Sequence, residues 1–433
     1  MPEKRKFFYG WWIVLASAIL NVLAGGTFYY GFTIFFNPIR DTFRWSAAVT
    51  SVAFVFQRLE SGLLGPVAGY LVDRTGPRKL MLAGWAVVGI GFLLMSRINS
   101  LWAFYCSFVI IATGFSFGSF VVLNTIVALW FEKKRSRAMT FIYLGFGASG
   151  TLVPLIALAI EQFGWRETLT VLAVVLWIIG ILLSLVMRHK PEQYGLLPDG
   201  RAPESTRQST PVLNALSTDA TIVPASISPG IGFSARAVLK TRAFWLFSLC
   251  FFFQHIGTSA VMVHIVPYLE SEKLPTTLAA MAVTGMTLCS VIGRLVFGLM
   301  GDFANKRYLV AIALVFQTVG LFIFSFIDAS KAWLIIPFLL IYAPGYGGTI
   351  PLRPVLQADL FGTKSFGTIM GLSSAISMTS GLFSPVIAGW LFDTTGSYSL
   401  AWQIFAAITV PAIVLILLTK PPAVKQETSL KAV

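Results

Sequence analysis

Twelve apolar runs long enough to cross a bilayer follow one another along this 433-residue chain, and no other feature limits its fold so tightly. They lie at about 10–36, 46–72, 79–97, 101–131, 138–160, 167–187, 243–268, 276–300, 308–327, 332–357, 366–391 and 399–419. Lipid offers no partner to a bare N–H or C=O, so each run is expected to satisfy its own backbone as a helix. Only 12% of the residues are charged and 56% are hydrophobic, where soluble domains average about 25% charged. The expected fold class is an all-α membrane protein.

An even number of crossings puts both termini on one side, and the Lys/Arg distribution says which. Of 32 Lys and Arg residues, 23 lie in the termini and even-numbered loops and six in the odd-numbered loops. The remaining three, Arg58, Arg294 and Arg353, lie inside the runs. The positive-inside rule places both termini in the cytoplasm, for a multi-pass protein of the cell (inner) membrane. The net charge of +14 is then a signal of orientation and not a footprint for nucleic acid. Cys106, Cys250 and Cys289 all fall within apolar runs and are expected to be apolar filler, not a disulfide or metal site. Lys4-Arg5-Lys6 precede a run too long for a signal-peptide core, so no cleavable leader is expected.

The segment 191–242 interrupts the pattern with Ser, Thr, Pro and Gly and is expected to be a loose cytoplasmic linker. It divides the chain into a six-helix bundle at 1–190, a second at 243–420 and a cytoplasmic tail at 421–433. The halves are related. An offset of 229 pairs Pro38 with Pro267, Gly69 with Gly298, Asp73 with Asp302 and Arg78 with Arg307 without a gap. An offset of 231 pairs Gly150 with Gly381 and Pro154 with Pro385. A parallel repeat of six helices about a central linker is a transporter architecture, so two pseudo-symmetric bundles are expected. Asn305 stands where Gly76 stands, and both suit a turn with positive φ.

Arg294 is the sharpest single feature. An arginine inside lipid costs roughly 2.5–3.5 kcal/mol on insertion scales, and it is normally kept facing a wet cavity or a partner charge. Helical rise sets it about 12 Å from Asp302, near the middle of the membrane. No acid lies one turn away, since Ser290 and Gly298 occupy those positions. A substrate carboxylate matching the guanidinium fork is the functional reading. A structural ion pair is the alternative.

The two loops GYLVDRTGPRK, from Gly69, and GLMGDFANKR, from Gly298, resemble the signature of the major facilitator superfamily, seen twice at matching positions. Further details resemble its bacterial monocarboxylate and oxalate/formate branch. They are Tyr9-Gly10-Trp11-Trp12, Gln57-Arg58-Leu59-Glu60 with Gly65-Pro66, the run from Pro191 to Pro198, Phe244-Trp245, Met262-Val263-His264 with Pro267, and Gly293-Arg294 with Gly298. The resemblance covers nearly the whole chain apart from the linker and tail. It implies a central cavity lined mainly by helices 1, 4, 7 and 10 and transport by rocking of the bundles. It also implies gating at the loops that hold Asp73, Arg74, Arg78, Asp302 and Arg307. His264 becomes a substrate contact and proton site, with a packed imidazole as the alternative. His255, nine residues away, points about 180° from it. Animal monocarboxylate transporters of the family carry an acid where this chain has Ser290, so a proton relay of that kind is not expected here.

Arg58 and Glu60 point to different sides of helix 2. They are read as polar clamps at the bundle interface, or Glu60 as a proton carrier tuned by desolvation. Arg353, about 9 Å from the cytoplasmic end of helix 10, is read as a snorkelling interface residue, with a gating or second anion role as the alternative. Tyr29, Tyr30, Asn124, Tyr143, Tyr342, Tyr346 and Ser374 are neutral candidates, of which Asn124, Tyr346 and Tyr30 are expected to touch substrate. Glycines at 345–348 and 145–150 suit close helix contacts.

No Walker motif, nucleotide fingerprint, metal cluster or nucleophile constellation is visible, so neither enzymatic activity nor a cofactor or metal is expected. Helix 11 has no Lys or Arg between Lys364 and Lys420. With one well-placed central cation, a single carboxylate is the better match than a dicarboxylate. The expectation is a monomeric, proton-coupled symporter of a small monocarboxylate such as lactate or pyruvate, its partners being substrate, proton and membrane lipid. An obligate anion exchanger of the oxalate/formate type and a non-transporting carboxylate sensor are the alternatives.

Overall fold

The computed structural model describes residues 8–200 and 232–422, without the side chains of 47, 48, 51, 53–61 and 280. Among the described residues there is no strand. The membrane-crossing helices are α1 Gly10–Phe43, α2 Ala47–Thr75, α3 Pro77–Ser96, α4 Leu101–Trp130, α5 Arg135–Phe163 and α6 Trp165–Val186. In the second half they are α7 Arg242–Ser271, α8 Thr276–Met300, α9 Lys306–Phe324, α10 Ala329–Phe361, α11 Phe366–Thr395 and α12 Ser399–Leu418. Eleven are long and apolar enough to span a membrane, and α2, the exception, has 29 residues, ample for the crossing.

These helices form two six-helix bundles. The first is filled by aromatics such as Trp85, Phe28, Phe32, Phe104, Phe108 and Phe115. The second has one cluster around Tyr268, Phe324, Phe338 and Trp402 and another around Phe244, Phe247 and Phe361. Where packing is dense the chain spends its small residues: a Cβ on Gly69 of α2 would collide with the Gly367 carbonyl of α11.

The loops carrying Asp73, Arg135, Asp302 and Lys364 share one side of the molecule, called the basic face below. Gly76, at φ +80°, makes the sharp turn between α2 and α3, and Pro77 opens α3 without needing an N–H donor. Asn305, its counterpart, does otherwise. It keeps φ −67° and caps α9 by accepting the Arg307 N–H, so the expected positive-φ turn is replaced by a side-chain cap. The segment 191–200 is not loose. Two 3₁₀ turns bring Asp199 to the α4–α5 loop, where its carboxylate accepts N–H bonds from Glu132, Lys133 and Lys134. The remainder of the expected linker up to residue 231, and the tail from 423, lie outside the described residues.

Three helices facing the bundle interface are irregular. α1 loosens into a π-helical turn at Gly25–Tyr29, α4 breaks at Ser119 and α5 tightens at Ser149–Thr151. Such breaks survive in a membrane where the freed backbone groups line a cavity or meet protein.

Candidate substrate cavity

A cavity of about 490 Å³ lies between the bundles. Helices α1, α2, α4 and α5 wall one side, through residues such as Tyr29, Gly65, Phe120 and Tyr143. Helices α7, α8, α10 and α11 wall the other, through residues such as His255, Arg294, Tyr346 and Ser374. The implied set of helices 1, 4, 7 and 10 is thus widened by 2, 5, 8 and 11.

Arg294 is 5% exposed and faces this cavity. Its Nη1 donates to the Tyr143 carbonyl of the first bundle at 3.0 Å. Its buried Nε has no partner, and no carboxylate among the described residues pairs with it. Gly147 makes room for the guanidinium, since a Cβ there would stand 2.9 Å from Nη1.

Tyr143 also lines the cavity. Its hydroxyl accepts from Asn124 Nδ2 at 2.8 Å, which frees its own proton to be donated elsewhere. Asn124 also donates to the Phe120 carbonyl, just past the break in α4. It is 1% exposed and does not line the cavity, so it positions Tyr143 and does not itself reach a ligand in this conformation. Tyr346 and Ser374 line the cavity as the sequence suggests, whereas Tyr342 is stacked on Phe338 in the second core. Tyr29 lines it, and Tyr30, which is 45% exposed and leans on Phe146, lies within electrostatic reach of Arg294 and Tyr346. The π turn ending at Tyr29 changes the helical register at this pair.

The expected preference between the histidines is reversed. His255 lines the cavity, beside Gly381. His264 is turned into its own bundle, with Nε2 2.9 Å from the Pro385 carbonyl and Nδ1 3.2 Å from the Tyr398 hydroxyl. A carbonyl partner requires the proton on Nε2, so that nitrogen is committed within the bundle. This is the packed imidazole of the alternative reading. The side chains of Arg58 and Glu60 lie outside the described residues.

Arg353 also departs from expectation. It does not snorkel to the basic face but lines the cavity. Its Nη2 donates to Ser377 Oγ at 3.0 Å, and its guanidinium lies 4.8 Å from the centroid of the Phe251 ring. Its Nε is buried without a partner, and no described carboxylate pairs with it. Rise along a helix gives depth but not azimuth, so the sequence could not place this second cation on the cavity wall. Both arginines act electrostatically on the Tyr143 hydroxyl.

On the basic face the bundles are latched together. Asp73 accepts the Gly367 and Thr368 N–H groups and the Thr368 hydroxyl, at 3.1, 2.8 and 2.7 Å. Asp302 accepts the Ser136 N–H at 2.9 Å and lies 2.8 Å from Arg137 Nε. The two latches are images of each other: residues 136 and 137 become 367 and 368 at the offset of 231. Each carboxylate from one bundle therefore sits on the positive N-terminus of a helix of the other, α11 or α5. Burial pushes the Asp302 carboxyl above the ordinary aspartate range, against the opposing pull of the Ser136 N–H and of Arg137. Asp359 adds a third tie, pairing with Arg135 at 3.3 Å and Lys306 at 2.9 Å. Arg307 binds the Thr419 carbonyl within its own bundle, Arg74 lies over the Tyr70 ring, and Arg78 is exposed. Of the five loop residues expected to gate, only the two aspartates bridge the bundles.

A model of the Major Facilitator Superfamily matches residues 14–287 and 247–432. The chain belongs to this superfamily. Relatives with curated names include the oxalate:formate antiporter of Oxalobacter formigenes, 25% identical over 89% of this chain and 86% of that protein. Another is monocarboxylate transporter 12 of Rattus norvegicus, 27% identical over 91% of this chain and 82% of that protein. Among solved structures, a proton:xylose symporter superposes with a TM-score of 0.71 at 13% identity, covering 95% of this chain and 96% of that one. This Major Facilitator chain is a multi-pass membrane transporter and not an enzyme. Its central cavity carries two arginines and no described acid, and its basic face is held shut by reciprocal carboxylate latches.

Proposed function

We propose that this protein carries a small carboxylate across the cell (inner) membrane by alternating access, with proton-coupled symport of a monocarboxylate such as lactate or pyruvate as the leading reading. One observation carries it: Arg294 is buried on the wall of the central cavity with an open Nε and no carboxylate beside it. A cation held that way favours an anion with a planar pair of acceptors. Tyr143 adds a hydroxyl donor and Tyr346 a second one nearby. The lining is otherwise mostly apolar or weakly polar, with Phe120, Phe146, Phe251 and Met262 suited to a short carbon chain.

The Lys/Arg bias supports a cytoplasmic basic face and cytoplasmic termini, the bundles being 1–190 and 243–420 about a linker at 191–242. The conformation is then closed toward the cytoplasm. Release inward requires both aspartate latches to part while contacts form on the opposite half. A single copy contains the whole cavity, which suits a monomer. One anion with one proton leaves the carrier's charge as it was when empty, so transport responds to a pH gradient and little to voltage. His255 is the candidate proton site on the cavity wall, and Glu60 remains a second candidate from sequence.

Arg353 favours a second reading. Two cations on one cavity suit a dianion on at least one leg of the cycle, as in exchange of a dicarboxylate for a monocarboxylate. The named relative that exchanges oxalate for formate fits that reading. Uptake into proteoliposomes separates the two. Labelled lactate accumulating in empty vesicles under an inward proton gradient establishes symport. Uptake that requires an internal carboxylate and ignores the gradient overturns it in favour of exchange. Saturable binding of a carboxylate with no flux in either assay would leave only the sensor.

A further inference from the structure

A second cavity, of about 260 Å³, opens on the basic face within the first bundle, between the α2–α3 turn and the chain that follows α6. Four cations line it: Arg74, Arg78, Lys79 and Arg188. No Asp or Glu lines it, and among the described residues none of the four is in an ion pair. Asp73, the adjacent acid, is turned away to hold α11. Glu192 acts electrostatically on His189 but is not on the wall.

We propose that this cavity binds the phosphate of an anionic phospholipid headgroup. Four like charges around one hollow repel one another unless an anion sits among them. Neutral hydrogen-bonding groups are also present. His189 Nδ1 is buried without a partner, and the first turn of α3 has no side-chain cap. Both sit at the same wall, since a Cβ on Gly76 would stand 3.3 Å from His189 Nδ1. Arg188 is pre-ordered by lying 3.8 Å from the Tyr9 ring centroid and 4.3 Å from that of Tyr194.

A free phosphate ion would satisfy the same chemistry. The position favours a lipid. Along α6, Val171, Val174, Ile178, Leu182 and Leu185 are exposed at 61, 46, 55, 57 and 43%. Their spacing of three and four residues makes one apolar stripe, which ends one turn before Arg188. An acyl chain lying on that stripe delivers its headgroup to the hollow. A basic pocket at the membrane surface beside a transmembrane helix is a suitable receptor for such a headgroup.

Native mass spectrometry and thermal unfolding of the purified full chain test this. Phosphatidylglycerol should be retained and should raise the melting temperature, whereas phosphatidylcholine should do neither. Millimolar inorganic phosphate should give no comparable protection. Lys79→Gln should weaken phosphatidylglycerol retention by about fivefold and the double variant with Arg188→Gln further. Gln193→Glu, which leaves the Arg188 stack in place and brings an acid to the wall, should weaken it as well. Equal protection by inorganic phosphate overturns the lipid as occupant. Equal retention of phosphatidylcholine, or phosphatidylglycerol binding unmoved by Gln193→Glu and by Lys79→Gln, overturns the site.

Discussion

Arg294 of the second bundle donates from Nη1 to the main-chain carbonyl of Tyr143 in the first, across 3.0 Å. A neutral acceptor orients the guanidinium without cancelling its charge. The charge stays available to a ligand, and the ligand's anchor is physically tied to the opposite bundle. Anion binding and bundle position are thereby coupled at one side chain.

Arg294→Lys keeps the charge and removes the planar fork. Uptake of the labelled carboxylate in proteoliposomes should fall at least roughly tenfold, since two charge-assisted hydrogen bonds become one. Uptake near that of the unaltered protein would count heavily against the anchor.

Arg353→Gln distinguishes the two transport readings. If both cations hold the substrate, competition by a dicarboxylate against labelled monocarboxylate should weaken roughly tenfold or more. Monocarboxylate uptake itself should be largely preserved. A competition panel run on the variant and the unaltered protein reads this directly.

Asp302→Ala should open the basic face. It removes an acceptor for the Ser136 N–H and the partner of Arg137, interactions worth about 1.5–3 kcal/mol for a charged group. Asp302→Asn should be milder, because burial already disfavours the charged carboxyl there and an amide oxygen still accepts the N–H. The check is thiol labelling from the basic side at Ser374→Cys in the cavity, with Cys106, Cys250 and Cys289 replaced. Labelling should rank Ala above Asn above the parent.

Gly69→Ala should block closure by a different route. The new Cβ meets the Gly367 carbonyl, a main-chain atom that cannot swing aside. The same labelling should increase while the protein still folds and expresses, and transport should collapse. Labelling and transport at parental levels would mean that α2 and α11 need not approach so closely.

The histidines should behave differently. His264→Gln removes bonds to Pro385 and Tyr398 and should cost about 1–2 kcal/mol of stability, read as a lower melting temperature, with the pH profile of transport unmoved. His255→Gln should flatten that profile while the protein still folds. The reverse pattern would restore His264 as the proton site.

The helices, their order and the sequence repeat were legible because lipid permits few alternatives and because Gly69, Asp73, Gly298 and Asp302 recur on one register. Arg294 was legible for the same reason: burying it unpaired is too costly to be incidental. Azimuth was not. Arg353 was misplaced because depth along a helix says nothing about which side faces inward, and His264 because its role was carried over from a family resemblance. Tyr29 joined the lining at a π turn that no spacing rule announces. Tyr143 was named but ranked low, since its importance comes from Asn124 and Arg294, partners distant in sequence.

The aspartate latches grip peptide groups on both sides, not side chains alone. Those donors sit at crowded positions: Ser136 is fully buried beside Gly301, and a Cβ on Gly367 would meet Val72 and the Gly69 carbonyl, so neither position has room to drift. Each half of the molecule also holds the clasp that fits the other half. Neither repeat can assume the shut form by itself, and any ancestral six-helix unit would have needed a second copy before it could close.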